Sequence, residues 1–157
     1  GNSRCMSFRL EDRQTGAVGV FATDHEAQAT PPSEIKKHFG GADVLILDCA
    51  YEREKSVKMT SGWGHGIPLG VIREALASQV KTLWLTHHDP SSSDSLIDGE
   101  IWGEVAKAYK HYTGKREFMM AHGLTKPSFD LDQVQMCYDG MIIDVQKVAR
   151  KFMSMAA

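Results

Sequence analysis

The chain has 157 residues and a mass of 17.4 kDa, the size of one domain. Eighteen Lys and Arg stand against 20 Asp and Glu, so the formal charge is −2, and the cation surplus that a sequence-independent nucleic-acid binder needs is missing. With 42% hydrophobic and 24% charged residues, the composition lies outside disordered and coiled-coil chains. Its longest apolar runs fall far short of the roughly 18 residues that span a bilayer, and GNSRCMSFRL lacks a signal-peptide core. The expectation is one soluble, cytoplasmic domain over residues 1–157. Cys5, Cys49 and Cys137 are too few for a disulfide framework and too widely spaced for a zinc knuckle, and read as reduced core thiols.

Residues 4–12 alternate polar and apolar, Gln14-Thr15-Gly16 supplies a turn, and AVGVFAT at 17–23 is β-prone, which predicts an opening hairpin. After Pro31-Pro32, Ser33 reads as the N-cap of a short helix from Glu34 to His38 that Gly40-Gly41 stops. Asp43-Val44-Leu45-Ile46-Leu47-Asp48 is a continuous apolar run bounded by acids, a strand buried on both faces. Residues 51–61 are charged without a clear period, and GWGHG at 62–66 forms a glycine-rich loop before a helix from Pro68 to Ser78. Thr82 to Thr86 is a second buried strand running into His87-His88-Asp89-Pro90, so that strand, helix and strand make a βαβ unit. Ser91 to Asp94 caps a helix from Ser95 to Tyr112 ended by Gly114, and Glu117 to Ala121 reads as a third strand. Val134 to Tyr138 and Met141 to Val145 flank Asp139-Gly140, a hairpin signal, and a basic helix over 146–157 closes the chain.

Ligands in α/β proteins gather at the carboxyl ends of strands, where loops converge on a rigid sheet. Three such ends carry acids or imidazoles: Asp24-His25, Asp48, and His87-His88-Asp89; the glycine loop adds His65. Carboxylate oxygen and neutral imidazole nitrogen are the donors that zinc, iron or manganese accept. Taken singly, each residue is as ordinary as a cap, turn former or surface group; the set points to a metal site. Asp48 after VLIL also looks like the acid of a Walker B strand, but no G-x-x-x-x-G-K-[ST] accompanies it and Thr113-Gly114-Lys115 is only a fragment. There is no G-x-S-x-G elbow, so the serine run reads as loop and cap. His38, His111 and His122 read as surface groups.

FATDHE at 21–26, GADVLILDCAY at 41–51, GWGHG at 62–66 and LTHHDP at 85–90 together resemble, in the same order, the second half of metallo-β-lactamase-fold hydrolases, nearest to their phosphodiesterase and tRNase Z-like branch. The segment Cys137-Tyr138-Asp139-Gly140-Met141 also looks like the last strand pair of such domains. The resemblance implies an α/β fold: a mixed sheet flanked by helices on one face, half of an αββα sandwich. It implies that Asp24 is the metal-bridging carboxylate, His87 the last histidine ligand, and His65 the loop histidine facing the substrate's phosphate. His88 and Asp89 would orient the loop, Asp48 would stand where that branch often has Glu, and His25 would lie behind the ligands or be exposed.

The family's main ligand motif, H-x-H-x-D-H, is absent, as is the histidine ligand that precedes its TDHE-like strand. One carboxylate and one imidazole hold a metal ion weakly. Half a sandwich also leaves an apolar sheet face bare, a patch that soluble monomers rarely tolerate. A separate chain carrying the missing half, or a two-fold homodimer, would cover it, and the homodimer is the expected form. The leading functional expectation is a metal-dependent, phosphodiesterase-like hydrolase scaffold that is incomplete and inactive alone. The alternative is a non-catalytic dimeric binding remnant. A receiver-like phosphoacceptor with Asp48 and Thr86 is disfavoured: no acidic pair lies near the first strand and no lysine ends Glu117 to Ala121.

Overall fold

A computed structural model describes residues 5–27, 32–52 and 62–156; most of the charged segment 51–61 lies outside them. The elements, in chain order, are β1 (Phe8–Glu11), β2 (Val18–Ala22), α1 (Pro32–Phe39), β3 (Val44–Asp48), α2 (Pro68–Ala77) and β4 (Leu83–Thr86). There follow a continuous helical run of α3 (Asp94–Leu96), a π-helical turn (Ile97–Ile101) and α4 (Trp102–Thr113), then α5 (Arg116–Ala121), β5 (Val134–Met136) and α6 (Val145–Ala156). The strands form one sheet in the order β1-β2-β3-β4-β5, the first pair antiparallel and the others parallel. This is the expected mixed α/β sheet.

The acids at the two ends of β3 act as staples. Asp43 accepts from the Val18 backbone N–H at 2.8 Å and from Lys81 Nζ, fastening the amino-terminal ends of the central strands. Asp48 does the same work at the carboxyl end, in the site described below. Between them Leu45 and Leu47 face Val71, Ile72 and Leu76 of α2 and Ile101 and Val105 of the long helical run, all fully buried. Helices α1, α2 and α4 therefore cover one face of the sheet.

The other face is the one that the alternation of β-strands leaves over. Register places Phe8, Phe21, Ile46 and Trp84 in one row across four strands. Phe8 is 51% exposed, Leu10 68% and Phe21 41%, while Ile46 and Trp84 are half-buried. On this face the start of α6 reaches the sheet, with Val145 seated over Gly19, where a Cβ would come within 3.3 Å of it. The expected bare apolar face is present.

Two expected strands are not. Glu117 to Ala121 is the helix α5, because Phe118 packs against Tyr112 and against His122, four residues on, at 4.7 and 4.6 Å between ring centres. A short apolar run suits either state, and here contacts between helices decide. Asp139-Gly140 does turn, with Met141 N–H bonded to the Tyr138 carbonyl, but residues 141–144 form no strand and β5 pairs only with β4. The cysteines are all free, yet only Cys49 is a core thiol; Cys5 is exposed and Cys137 half-buried. Among the described residues no helix is long and apolar enough to cross a membrane.

Tyr109 of α4 ties the helical layer to the loop before β5 by donating to the Phe129 carbonyl at 2.9 Å. Burial, then the nearby Asp130 and Asp132, push its pKa up to about 12. A phenol whose folded pKa lies above its ordinary value near 10 contributes stability that is whole below pH 10 and is lost as pH rises toward 12. Tyr109→Phe is expected to cost about 1 kcal/mol at neutral pH and to flatten the fall in stability between those values, measured by urea unfolding across the alkaline range.

Candidate metal centre

Three segments meet at the carboxyl ends of β2, β3 and β4. Asp24 follows β2, Asp48 ends β3, His87 follows β4, and the glycine loop brings in His65. Asp48 is fully buried and is the organiser. One of its oxygens, Oδ2, accepts from the Asp24 backbone N–H at 2.9 Å and lies 2.9 Å from His65 Nδ1; the other, Oδ1, accepts from Gly66 N–H at 3.0 Å. With Nδ1–H donated to a carboxylate, the His65 ring keeps Nε2 as its free nitrogen, the arrangement in which a carboxylate orients a metal-binding imidazole.

Asp24, His65 and His87 each offer one donor atom, and the three lie within 4.8 Å of one another. His87 Nε2 is 3.6 Å from Asp24 Oδ1 and 4.0 Å from Asp48 Oδ2, and its ring stacks on that of His65 at 5.1 Å. A carboxylate and two imidazoles match what zinc, iron or manganese takes, and a three-donor set leaves coordination positions open. Sequence reading placed His65 opposite a substrate; the structure brings it as close to Asp24 and His87 as they are to each other.

The neighbouring residues divide. His25 turns away into the helical layer, with Nε2 2.7 Å from Glu74 Oε2 and its ring edge on Phe39. His88 points Nδ1 at the Cys49 carbonyl at 2.9 Å, and Asp89 accepts from the backbone and hydroxyl of Ser91, so both brace the loop after β4. Those bonds to Ser91 hold the Asp89 carboxyl below its usual range. Two contributors escaped sequence reading. Glu26 collects the Gly62 and Gly64 N–H groups at 2.8 and 3.2 Å and so shapes the glycine loop, and Tyr51 sets its ring edge-on to His65 at 5.6 Å. Only their nearness to Asp24 and Asp48 in sequence hinted at either.

Asp24 and His87 share an uncommon backbone state, with φ of +52° and +58°. A side chain in this left-handed region carries strain, tolerated where the surroundings fix it; of the three non-glycine residues in that state among the described residues, Asp24 and His87 fall at the site and Gln79 lies away from it. His87→Gly is therefore expected to leave stability unchanged or raise it by up to about 1 kcal/mol. Urea denaturation checks this, and a loss larger than that gain would mark His87 as a packing residue instead.

No protein-family model matches the sequence, and no curated protein matches it. Among solved structures, the metallo-β-lactamase fold protein YhfI from Bacillus subtilis matches with a TM-score of 0.57 at 18% identity, over 89% of this chain and 44% of that one. The short form of human tRNase Z matches with a TM-score of 0.54 at 16% identity, over 88% of this chain and 38% of that one. This chain thus spans less than half the length of either. At such identities the likeness is one of fold: this chain has the fold of part of a metallo-β-lactamase-fold protein.

Proposed function

We propose that the chain is the scaffold of a metal-dependent hydrolase acting on a phosphodiester, with a donor set that further polypeptide must complete. The observation that carries this reading is the convergence of Asp24, His65 and His87 within 4.8 Å on three separate loops. The likeness in fold to a tRNase Z supports the substrate class. Asp24 and His87 would hold the ion, zinc, iron or manganese, with Asp48 keeping His65 aimed beside them. Such an ion, when bound, supplies a Lewis acid and an acidified water. His65, fixed through Nδ1, would donate a hydrogen bond or proton to a leaving oxygen from Nε2 when that nitrogen is protonated as well.

Completion is argued from position. Ile46 lies on the bare face, and Asp48, two residues on, points to the same side, so the centre stands at the rim of that face. A polypeptide layer covering Phe8, Phe21, Ile46 and Trp84 would bury their apolar surface and reach the centre with further imidazole or carboxylate donors. Solution mass and metal content measured on one sample test this. The expected result is weak metal retention by the chain alone and stoichiometric metal, with hydrolysis of bis(4-nitrophenyl) phosphate, in a complex whose activity is lost in Asp24→Ala and His87→Ala. A metal-free homodimer that resists metal loading would overturn the hydrolase reading in favour of a dimeric binding protein.

A further inference from the structure

The helical layer contains a cavity of about 350 Å³ between α1, α2 and α5, within the size range of small-molecule sites. Its walls are apolar where Ile35, Ala77 and Phe118 meet, and three basic side chains, Lys36, Arg73 and His122, line it as well. His122, expected at the surface, is half-buried, and burial and then the charges of Lys36 and Arg73 keep it toward its neutral form. Lys36 has no ion pair among the described residues. Arg73 donates from Nη2 to the Ala27 carbonyl at 3.0 Å, and that nitrogen is 3.8 Å from Glu74 Oε1.

Glu74 is the acid facing these groups. Its other oxygen is engaged by His25 at 2.7 Å, and burial raises its pKa, which disfavours the charged form that would repel an anion. A second, independent feature is Ser78 at the same wall: it is 2% exposed, and its hydroxyl has no hydrogen-bond partner among the described residues. A buried hydroxyl left unpaired costs about 1–3 kcal/mol, which a ligand's polar group would recover. The cavity therefore combines an apolar interior, two cations with donors to spare and an unused hydroxyl.

We infer that this cavity binds a small apolar carboxylate, its hydrocarbon body against Ile35, Ala77 and Phe118 and its anionic head held by Lys36 and Arg73. The inference does not rest on the hydrolase reading, since none of these groups belongs to the metal centre. Octanoate serves as the probe in calorimetric titration of the full chain, with octylamine and acetate as controls. Octanoate is expected to bind at one site, at least about tenfold tighter than octylamine, which shares the tail but not the charge, and than acetate, which lacks the tail. Lys36→Glu, at an exposed position, is expected to weaken octanoate about tenfold, and Ala77→Phe, which fills the cavity, to abolish binding with the circular dichroism spectrum retained. Equal affinity for octylamine, or octanoate binding unmoved by Lys36→Glu, would overturn the inference, and that variant keeps the test decisive even if Ala77→Phe fails to fold.

Discussion

Asp48→Ala is expected to destabilise the chain by about 3–5 kcal/mol, a large share of the roughly 5–15 kcal/mol that holds a domain together. The reason lies in what the carboxylate does from a fully buried position. It is the common acceptor for the Asp24 N–H, the Gly66 N–H and His65 Nδ1, at 2.9, 3.0 and 2.9 Å. Removing it leaves three donors facing an emptied, water-poor space, and each unpaired group costs more than its bond contributed. Asp48→Asn keeps the shape and one acceptor oxygen, so it is expected to lose about half as much. Urea unfolding of the two variants checks the order; equal losses would mean that the retained shape contributes nothing and that only the full carboxylate acceptor matters at this position.

Gly66→Ala is expected to cost about 3 kcal/mol or more and to disturb the centre as well. A Cβ on Gly66 would lie 2.2 Å from the Asp48 carbonyl oxygen and 2.9 Å from Val71 Cγ2, so backbone would have to move. The Gly66 carbonyl also accepts from Ala50 N–H at 3.1 Å, which locks the loop against the strand end. Displacing this loop shifts His65, the preceding residue, away from Asp48. Gly62→Ala differs: no atom lies within 4 Å of an added Cβ, and the penalty there comes only from φ of +85°. Thermal unfolding of both variants is expected to show Gly66→Ala as clearly the worse; comparable melting points would mean the loop yields.

Much of this architecture is legible in the residues because single segments carry their own signal. VLILD and LWLT read as strands from their apolar runs, although Ile46 and Trp84 face the bare side and are only half-buried, and the site gathers at and just after their ends, at Asp48 and His87. The turn before β2 follows from Asp12, whose carboxylate accepts from the Gln14 N–H, and from Gly16 at φ +70°. What sequence reading misses is settled between segments. REFMMA becomes a helix through Tyr112 and His122, which no local pattern within those six residues reveals. The second strand of the expected closing hairpin fails because the chain leaves β5 for Gly19 of β2, three strands away, where Val145 starts a helix. His25 sits beside Asp24 in sequence yet faces Glu74, 49 positions later, because successive residues after a strand point to opposite sides.

The site residues were readable as a set, since acids and imidazoles at several strand ends are unusual together. Their division of labour was not. The resemblance gives Asp48 no role beyond standing where that branch often has Glu, and it is the residue that holds the Asp24 backbone, the glycine loop and the His65 ring in a single arrangement.

The most direct measurement of that arrangement is calorimetric titration of the folded chain with zinc, comparing the wild type, Asp24→Asn with His87→Ala, and His111→Ala at an exposed helix position as the control. Binding of one ion is expected in the wild type and the control, weakened at least about tenfold in the double variant, whose unfolding midpoint stays close to that of the wild type. Zinc binding of unchanged affinity in the double variant would show that the ion is held elsewhere and that Asp24 and His87 converge without coordinating it.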